Sequence, residues 1–198
     1  MSSTQSAEQL LQDMMTQYCK WASPVYPDMK KLREVLTLLS DEQKLHILQQ
    51  KYSGWTPLNH AAASDGTEII STLLTYAQSS AYRLKLLMVD KDETPLHLAA
   101  HFGHTESVKM ILDCLTADQQ IQIMSLPGRD GETAIQKAER RRKTDTMRVL
   151  REYQHRAVLM REQEQRRRQQ EQQRINDEKT RQRLSGINAQ PNIVPVVI

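Results

Sequence analysis

The chain has 198 residues, 38% hydrophobic and 26% charged, with seven prolines and six glycines, which suits one modest folded domain with polar extensions. No run of 18 apolar residues provides a membrane-spanning helix, and Met1-Ser2-Ser3-Thr4-Gln5 lacks the basic and apolar regions of a secretory signal. The formal charge of +3 is uneven: residues 139–183 hold 15 Arg/Lys and eight Asp/Glu, a balance of +7, so the remainder sums to −4.

In Ser6 to Ala22, Leu10, Leu11, Met14, Met15, Tyr18 and Trp21 recur at three- and four-residue steps, which predicts an amphipathic helix. Ser6-Ala7-Glu8-Gln9 reads as a capping box at its start. The expected role is to cover the open end of the domain that follows; the alternative is a partner-binding helix with a Met-rich face. Ser23-Pro24-Val25-Tyr26-Pro27 breaks the helix. Asp28 to Leu39 starts another, with Leu32, Val35 and Leu36 on its buried side.

Asp92 to His104 is dense in local signals. Thr94 is a helix N-cap, Pro95 follows where its missing N–H costs nothing, and Leu96, Ala99 and Ala100 give a small apolar face. Gly103 can end the helix in the left-handed conformation. A second helix from about Thr105 to Cys114 carries Val108, Ile111 and Leu112. Two short helices with one apolar flank need copies of themselves, and copies exist. Thr56-Pro57-Leu58-Asn59-His60-Ala61-Ala62 lies 38 residues earlier, and Thr133-Ala134-Ile135-Gln136-Lys137-Ala138 lies 39 later. Ile70, Leu73 and Leu74 match Val108, Ile111 and Leu112; Met147 and Leu150 are what remains of that set in the third copy.

On these residues the chain resembles the ankyrin-repeat family over roughly residues 28–153. The Thr-Pro-Leu-His-x-Ala-Ala signature is complete at Thr94 to Ala100, and a Gly-His turn follows at Gly103-His104. The first copy departs at Asn59 and at Asp65, where the turn glycine belongs. The third has Ala134, Gln136, Glu139 and Arg142 in place of Pro, His, Ala and Gly, as suits a capping repeat. The resemblance implies an all-α solenoid of about three repeats, with an N-terminal cap helix and a long charged C-terminal helix. It also implies a protein partner on the concave face.

The repeat unit is longer than the usual 33 or so residues. The added residues are Ser40 to Leu48, Ser80 to Leu87 and Thr116 to Met124, and Ser40…Gln43 and Thr116…Gln119 read as capping boxes. Each insertion is expected to be one or two extra helical turns; a short strand is the competing reading. Turns at Tyr52-Ser53-Gly54, Asp90-Lys91-Asp92 and Gly128-Arg129-Asp130-Gly131 would form exposed fingertips.

Residues 139–184 have no Gly or Pro and are rich in Arg, Gln and Glu, all good helix formers. Ile175 is the one large apolar residue from Arg161 to Arg183, too few for a coiled-coil seam. A solvated helix that extends the last repeat and then frays is expected. The organisation is thus 1–27 cap helix and linker, 28–153 repeats, 154–184 charged helix or partly disordered segment, and 185–198 disordered tail.

The expected partner contacts are Tyr52, Trp55, Ser64, Asp65, Asp90, Lys91, Asp92, Glu93, His101, Phe102, Arg129 and Asp130, with Trp55 and Phe102 foremost because aromatic residues often carry interface energy. Arg140, Arg141, Arg142 and Lys143, and Arg166, Arg167 and Arg168, form basic clusters that suggest nuclear import or nucleic-acid contact as alternatives. The interspersed acids, and the lack of any aromatic residue after Tyr153, weigh against nucleic acid. Val196, Val197 and Ile198 resemble a PDZ-domain ligand, read by strand addition and carboxylate capture. His97 and His101 share a helical face, but Leu98 stands where a zinc-protease motif needs glutamate. No cofactor, metal or enzymatic activity is expected: no catalytic signature or Gly-rich phosphate loop is present. Cys19 and Cys114, nine methionines and no signal suggest a reducing setting, hence a cytoplasmic, or alternatively nuclear, monomer.

Overall fold

The computed structural model describes residues 3–20, 27–77, 79–90 and 93–187. Trp21, Lys91, Asp92, Val196, Val197 and Ile198 therefore lie outside the described residues. The described chain forms eleven helices: α1 (Ser3–Lys20), α2 (Met29–Leu38), α3 (Asp41–Leu48), α4 (Pro57–Ala63), α5 (Thr67–Thr75), α6 (Ser80–Leu87), α7 (Pro95–Phe102), α8 (Thr105–Asp113), α9 (Ala117–Ser125), α10 (Ala134–Arg140) and α11 (Thr144–Ile187). It has no strand beyond a single bridge between Tyr52 and Trp55. None of these helices is long and apolar enough to cross a membrane. Two compact units result, Met1–Val158 and Leu159–Ile198.

The first unit is an all-α solenoid. Helices α4, α7 and α10 stack side by side, and α5 and α8 stack behind them. Ala61, Ala62, Ala99, Ala100 and Ala138 are fully buried between the stacked helices, where small side chains permit close approach. The Thr caps recur as expected: Thr56, Thr94 and Thr133 accept from the backbone N–H of Asn59, His97 and Gln136 at 3.2, 3.4 and 3.4 Å. The left-handed turn recurs too, at Asp65 (φ 55°), Gly103 (φ 86°) and Arg142 (φ 55°). Its purpose is to aim the following N–H groups at a carbonyl of the first helix: Gly66 on Ala61, His104 on Ala99 and Lys143 on Ala138, at 2.8–2.9 Å. Asp and Arg tolerate this conformation at some strain; at Asp65 a hydrogen bond from the Ser107 hydroxyl (2.9 Å) holds the side chain.

α1 takes the place of the missing first helix at the N-terminal end. It packs on α2, α3 and α4 and buries Leu11, Met14, Met15, Tyr18 and Cys19. The helix begins at Ser3, ahead of the expected Ser6, so Ser6 lies inside it and is not its cap.

All three insertions are helices, α3, α6 and α9, with capping boxes at Ser40/Gln43 and Thr116/Gln119. Their fourth residues share a task that the sequence did not announce. The Lys44 ammonium donates to the Tyr76 carbonyl at 3.0 Å. Arg83 Nε donates to the Leu74 and Ala77 carbonyls at 3.0 and 3.1 Å, and its Nη1 to Cys114 at 3.4 Å. Gln120 Nε2 donates to Leu112 and Leu115 at 2.8 and 3.3 Å. Each long polar side chain thus satisfies the orphan carbonyls at the end of a second helix. Arg83→Leu is expected to destabilise the unit by about 2 kcal/mol, since it strips charged donors from carbonyls that no helical N–H reaches; urea unfolding measures it.

The first turns of α11 pack on α8. Thr146 and Thr105 hydroxyls meet at 2.8 Å, the Tyr153 hydroxyl donates to Asp113 at 2.6 Å, and Val149 and Leu150 are buried. In the second unit the helix continues to Ile187. Pairs at three and four residues, such as Arg166–Glu162 (3.2 Å), Arg168–Glu164 (3.0 Å) and Arg174–Glu171 (2.9 Å), line its surface and add small increments to already helix-prone residues.

Candidate partner-binding cleft

The loops before the first helices position the cleft. The first is a two-residue hairpin. Tyr52 and Trp55 exchange backbone hydrogen bonds of 2.8 and 3.1 Å, and Ser53 and Gly54 both have positive φ (52° and 88°), the geometry that reverses a strand tightly. The His60 ring donates to the Tyr52 carbonyl at 2.9 Å and meets the Trp55 ring edge-on at 5.5 Å, so the finger is pinned to its helix. The last finger closes through Gly128 N–H to Glu132 O (2.8 Å) and Gly131 N–H to Gly128 O (2.9 Å).

Between these fingers and the exposed sides of α7 and α10 lies a cleft of about 450 Å³. Trp55, Leu98 and Phe102 form its apolar part. Glu93, His101, Arg129, Asp130, Lys137, Arg140 and Arg141 complete it. Phe102 is 41% exposed and lies between the rings of His101 (4.8 Å) and His104 (5.9 Å). At the floor the Lys137 ammonium, almost fully buried, sits 3.2 Å from Glu93 and 3.0 Å from Asp130. Arg140 closes the network on Asp130 (3.0 Å) and Glu132 (2.7 Å). The hydrogen bond from Lys137 holds the Asp130 carboxyl well below its ordinary value, at about 2. His101 is pushed below its usual value by partial burial, then by Arg141, Lys137 and Arg140.

The structure gathers six of the expected contact residues here: Trp55, Glu93, His101, Phe102, Arg129 and Asp130. It places four elsewhere. Asp90 is a correction: it was expected at an exposed fingertip but is buried, its carboxylate 2.7 Å from the Lys51 ammonium, because a charge drawn into the stack needs a partner. Tyr52 is half-buried and accepts a hydrogen bond of 2.6 Å from Gln12 of α1. Ser64 and Asp65 are exposed in the α4–α5 turn, with Ser64 bonded to His60 O (2.9 Å) and Asp65 to Ser107 (2.9 Å).

The basic clusters separate. Arg140 and Arg141 join the cleft. Arg142 makes the left-handed turn, and the Lys143 stem covers Gly103 so closely that a Cβ there would lie 2.6 Å from it. Arg166, Arg167 and Arg168 pair with Glu162 and Glu164 inside the second unit.

Leu98 and Lys137 were missed as cleft residues, although the repeat offsets point to them. Leu98 less 38 is His60, and plus 39 is Lys137, so all three occupy one position of the first helix. The histidines serve structure. The Thr94 N–H donates to His97 Nδ1 (3.2 Å), and His97 Nε2 then donates to the Leu126 carbonyl (3.0 Å). Burial keeps this ring below its ordinary pKa and hence neutral. His104 Nε2 donates to Ala63 O at 3.1 Å. Both cysteines are free, and burial raises their pKa values to about 12 at Cys19 and about 11 at Cys114, so both remain thiols.

Paired helices stacked at a fixed sequence period, with capped Thr starts and left-handed turns, define a helical repeat protein. A family model described as ankyrin repeats (3 copies) matches residues 29–123 and again 78–163, and the chain belongs to the ankyrin-repeat family. Such repeats serve as protein–protein interaction modules. Among solved structures the fold is similar to one chain of the crystal structure of the yeast ribosomal protein Rps3 in complex with its chaperone Yar1. That match has 20% identity and a TM-score of 0.51, over 74% of this chain and 91% of the other. No curated protein matches the chain significantly.

Proposed function

We propose that the protein is a non-catalytic recognition module that binds a protein partner in the cleft between its fingers and the helices α7 and α10. The observation that supports this most is the pairing in one cleft of Phe102, 41% exposed, with Trp55, half-buried against the core. Both rings project from a backbone that is fully committed to the scaffold, through the Tyr52–Trp55 hairpin and the capped α7. Rigid aromatic groups lose little freedom on binding and dominate interface energies. The Arg-rich helix is a weaker candidate for the active surface, because Arg166, Arg167 and Arg168 already have carboxylate neighbours.

The test uses the full chain as bait in nuclease-treated lysate, at low and moderate salt, beside the double variant Trp55→Ala/Phe102→Ala. Discrete proteins should be captured by the wild type and lost with the variant, which should still unfold cooperatively, at a transition lowered by the loss of the half-buried Trp55 ring. Each ring is expected to contribute about 2 kcal/mol of binding, about thirtyfold in affinity. A variant that melts instead would make the two rings core residues and sink the reading, as would a catch that nuclease removes.

A further inference from the structure

We propose that the segment this cleft receives is acidic: an extended peptide with an apolar or aromatic side chain flanked by carboxylates. The inference rests on the cleft being the recognition site and adds the chemistry of what enters it. It follows from which charges are already satisfied. Lys137 is taken up by Glu93 and Asp130, and Arg140 by Asp130 and Glu132. Arg129 and Arg141 are exposed, and among the described residues neither guanidinium has an ion pair or hydrogen bond. The cleft lining holds four cations (Arg129, Lys137, Arg140 and Arg141); against them stand Glu93 and Asp130 of the lining and Glu132, the second partner of Arg140, which leaves a balance of +1.

The two unmatched guanidinia line the same cleft as the apolar side chains of Trp55, Leu98 and Phe102. A carboxylate beside either one gains charge-assisted donors with bidentate geometry available, in a cleft whose apolar side chains displace part of the water and so strengthen the attraction. His101 is held below its ordinary pKa first by partial burial, and Arg141, Lys137 and Arg140 add to that shift from within the cleft. A nucleic-acid strand fits less well. Glu93 and Asp130 hold negative charge where phosphates would pass, and two free cations supply little of the counterion release that drives such binding.

A random linear-peptide display library is selected on the full chain, with the Trp55→Ala/Phe102→Ala chain as counter-selection. An enriched peptide is then synthesised with its acids intact and with Asp/Glu changed to Asn/Gln. Enriched sequences should carry Trp, Phe or Leu between Asp or Glu. Neutralising the acids should weaken binding at least about tenfold, and Arg129→Glu/Arg141→Glu in a folded full chain should do the same. Peptides that need Trp55 and Phe102 but are neutral or basic would overturn the acidic inference and leave the cleft reading standing. Peptides indifferent to Trp55 and Phe102, or no enrichment at all, would overturn both. A single-stranded oligonucleotide that displaces the peptide and binds more tightly would overturn the inference in favour of nucleic acid.

Discussion

Met15→Ala is expected to destabilise the first unit by about 2–5 kcal/mol, the range for truncating a fully buried Leu, Ile or Met side chain. Met15 and its neighbour Leu11, one helical turn away, are both without solvent exposure although they belong to the first helix of the chain. A helix kept for a partner would leave that apolar face open. Here it covers the end of the stack, and its reach goes further. Gln12 Nε2 donates to the Tyr52 hydroxyl at 2.6 Å and to Gln50 at 2.8 Å, which ties α1 to the base of the finger that carries Trp55. Loss of α1 should therefore loosen the first wall of the cleft as well as expose Leu32, Leu36 and Leu58. Urea unfolding followed by far-UV circular dichroism measures the change. Leu38, 61% exposed, is the matched control, and Leu38→Ala should stay within about 0.5 kcal/mol of the wild type. If Met15→Ala behaved like that control, α1 would be separable from the fold and the partner-helix alternative would return.

Lys137→Met should cost about 3 kcal/mol. Removing one member of a buried pair leaves charge without its partner, which is expensive; the value is set at the low end because Asp130 is about one third exposed and solvent screens part of its charge. Methionine keeps the bulk and the flexible stem, so the loss reads charge rather than volume. The variant also has a pH signature. Asp130 in the folded protein titrates near 2 against an ordinary 3.8. Its contribution to stability is therefore complete above pH 3.8 and lost as the pH falls through about 2. In Lys137→Met the Asp130 value should move back toward 3.8, which carboxyl carbon chemical shifts can follow, and that increment of acid sensitivity should disappear. An Asp130 pKa that stayed near 2 would mean that Arg140 and the loop N–H groups hold the carboxylate, with Lys137 a bystander.

Much of the scaffold is legible along the chain because it is built from short-range chemistry. A threonine at each finger-to-helix junction caps the N–H three residues on in all three copies, and position 65, 103 or 142 turns left-handed whether it is Asp, Gly or Arg. The inserted helices could be read from Ser40…Gln43 and Thr116…Gln119 for the same reason: a capping box needs nothing beyond its own turn. The long C-terminal helix was legible from propensity, since residues 139–184 lack Gly and Pro and are rich in Arg, Gln and Glu.

The repeat register, the caps, the turns and the family were thus determined by the sequence alone, because each depends on residues within one turn of each other and on a period that recurs. Tertiary structure decided the rest. Asp90 turns inward to Lys51, 39 residues away; Lys137 reaches Glu93 across 44; Arg83 reaches Cys114 across 31. Whether a charge is buried, and which opposite charge or carbonyl meets it there, is set by how neighbouring repeats dock and not by the local pattern. The cleft itself exists for the same reason. Trp55, Phe102 and Arg129 belong to three successive repeats, and only their stacking brings apolar side chains and two unmatched guanidinia into one cleft.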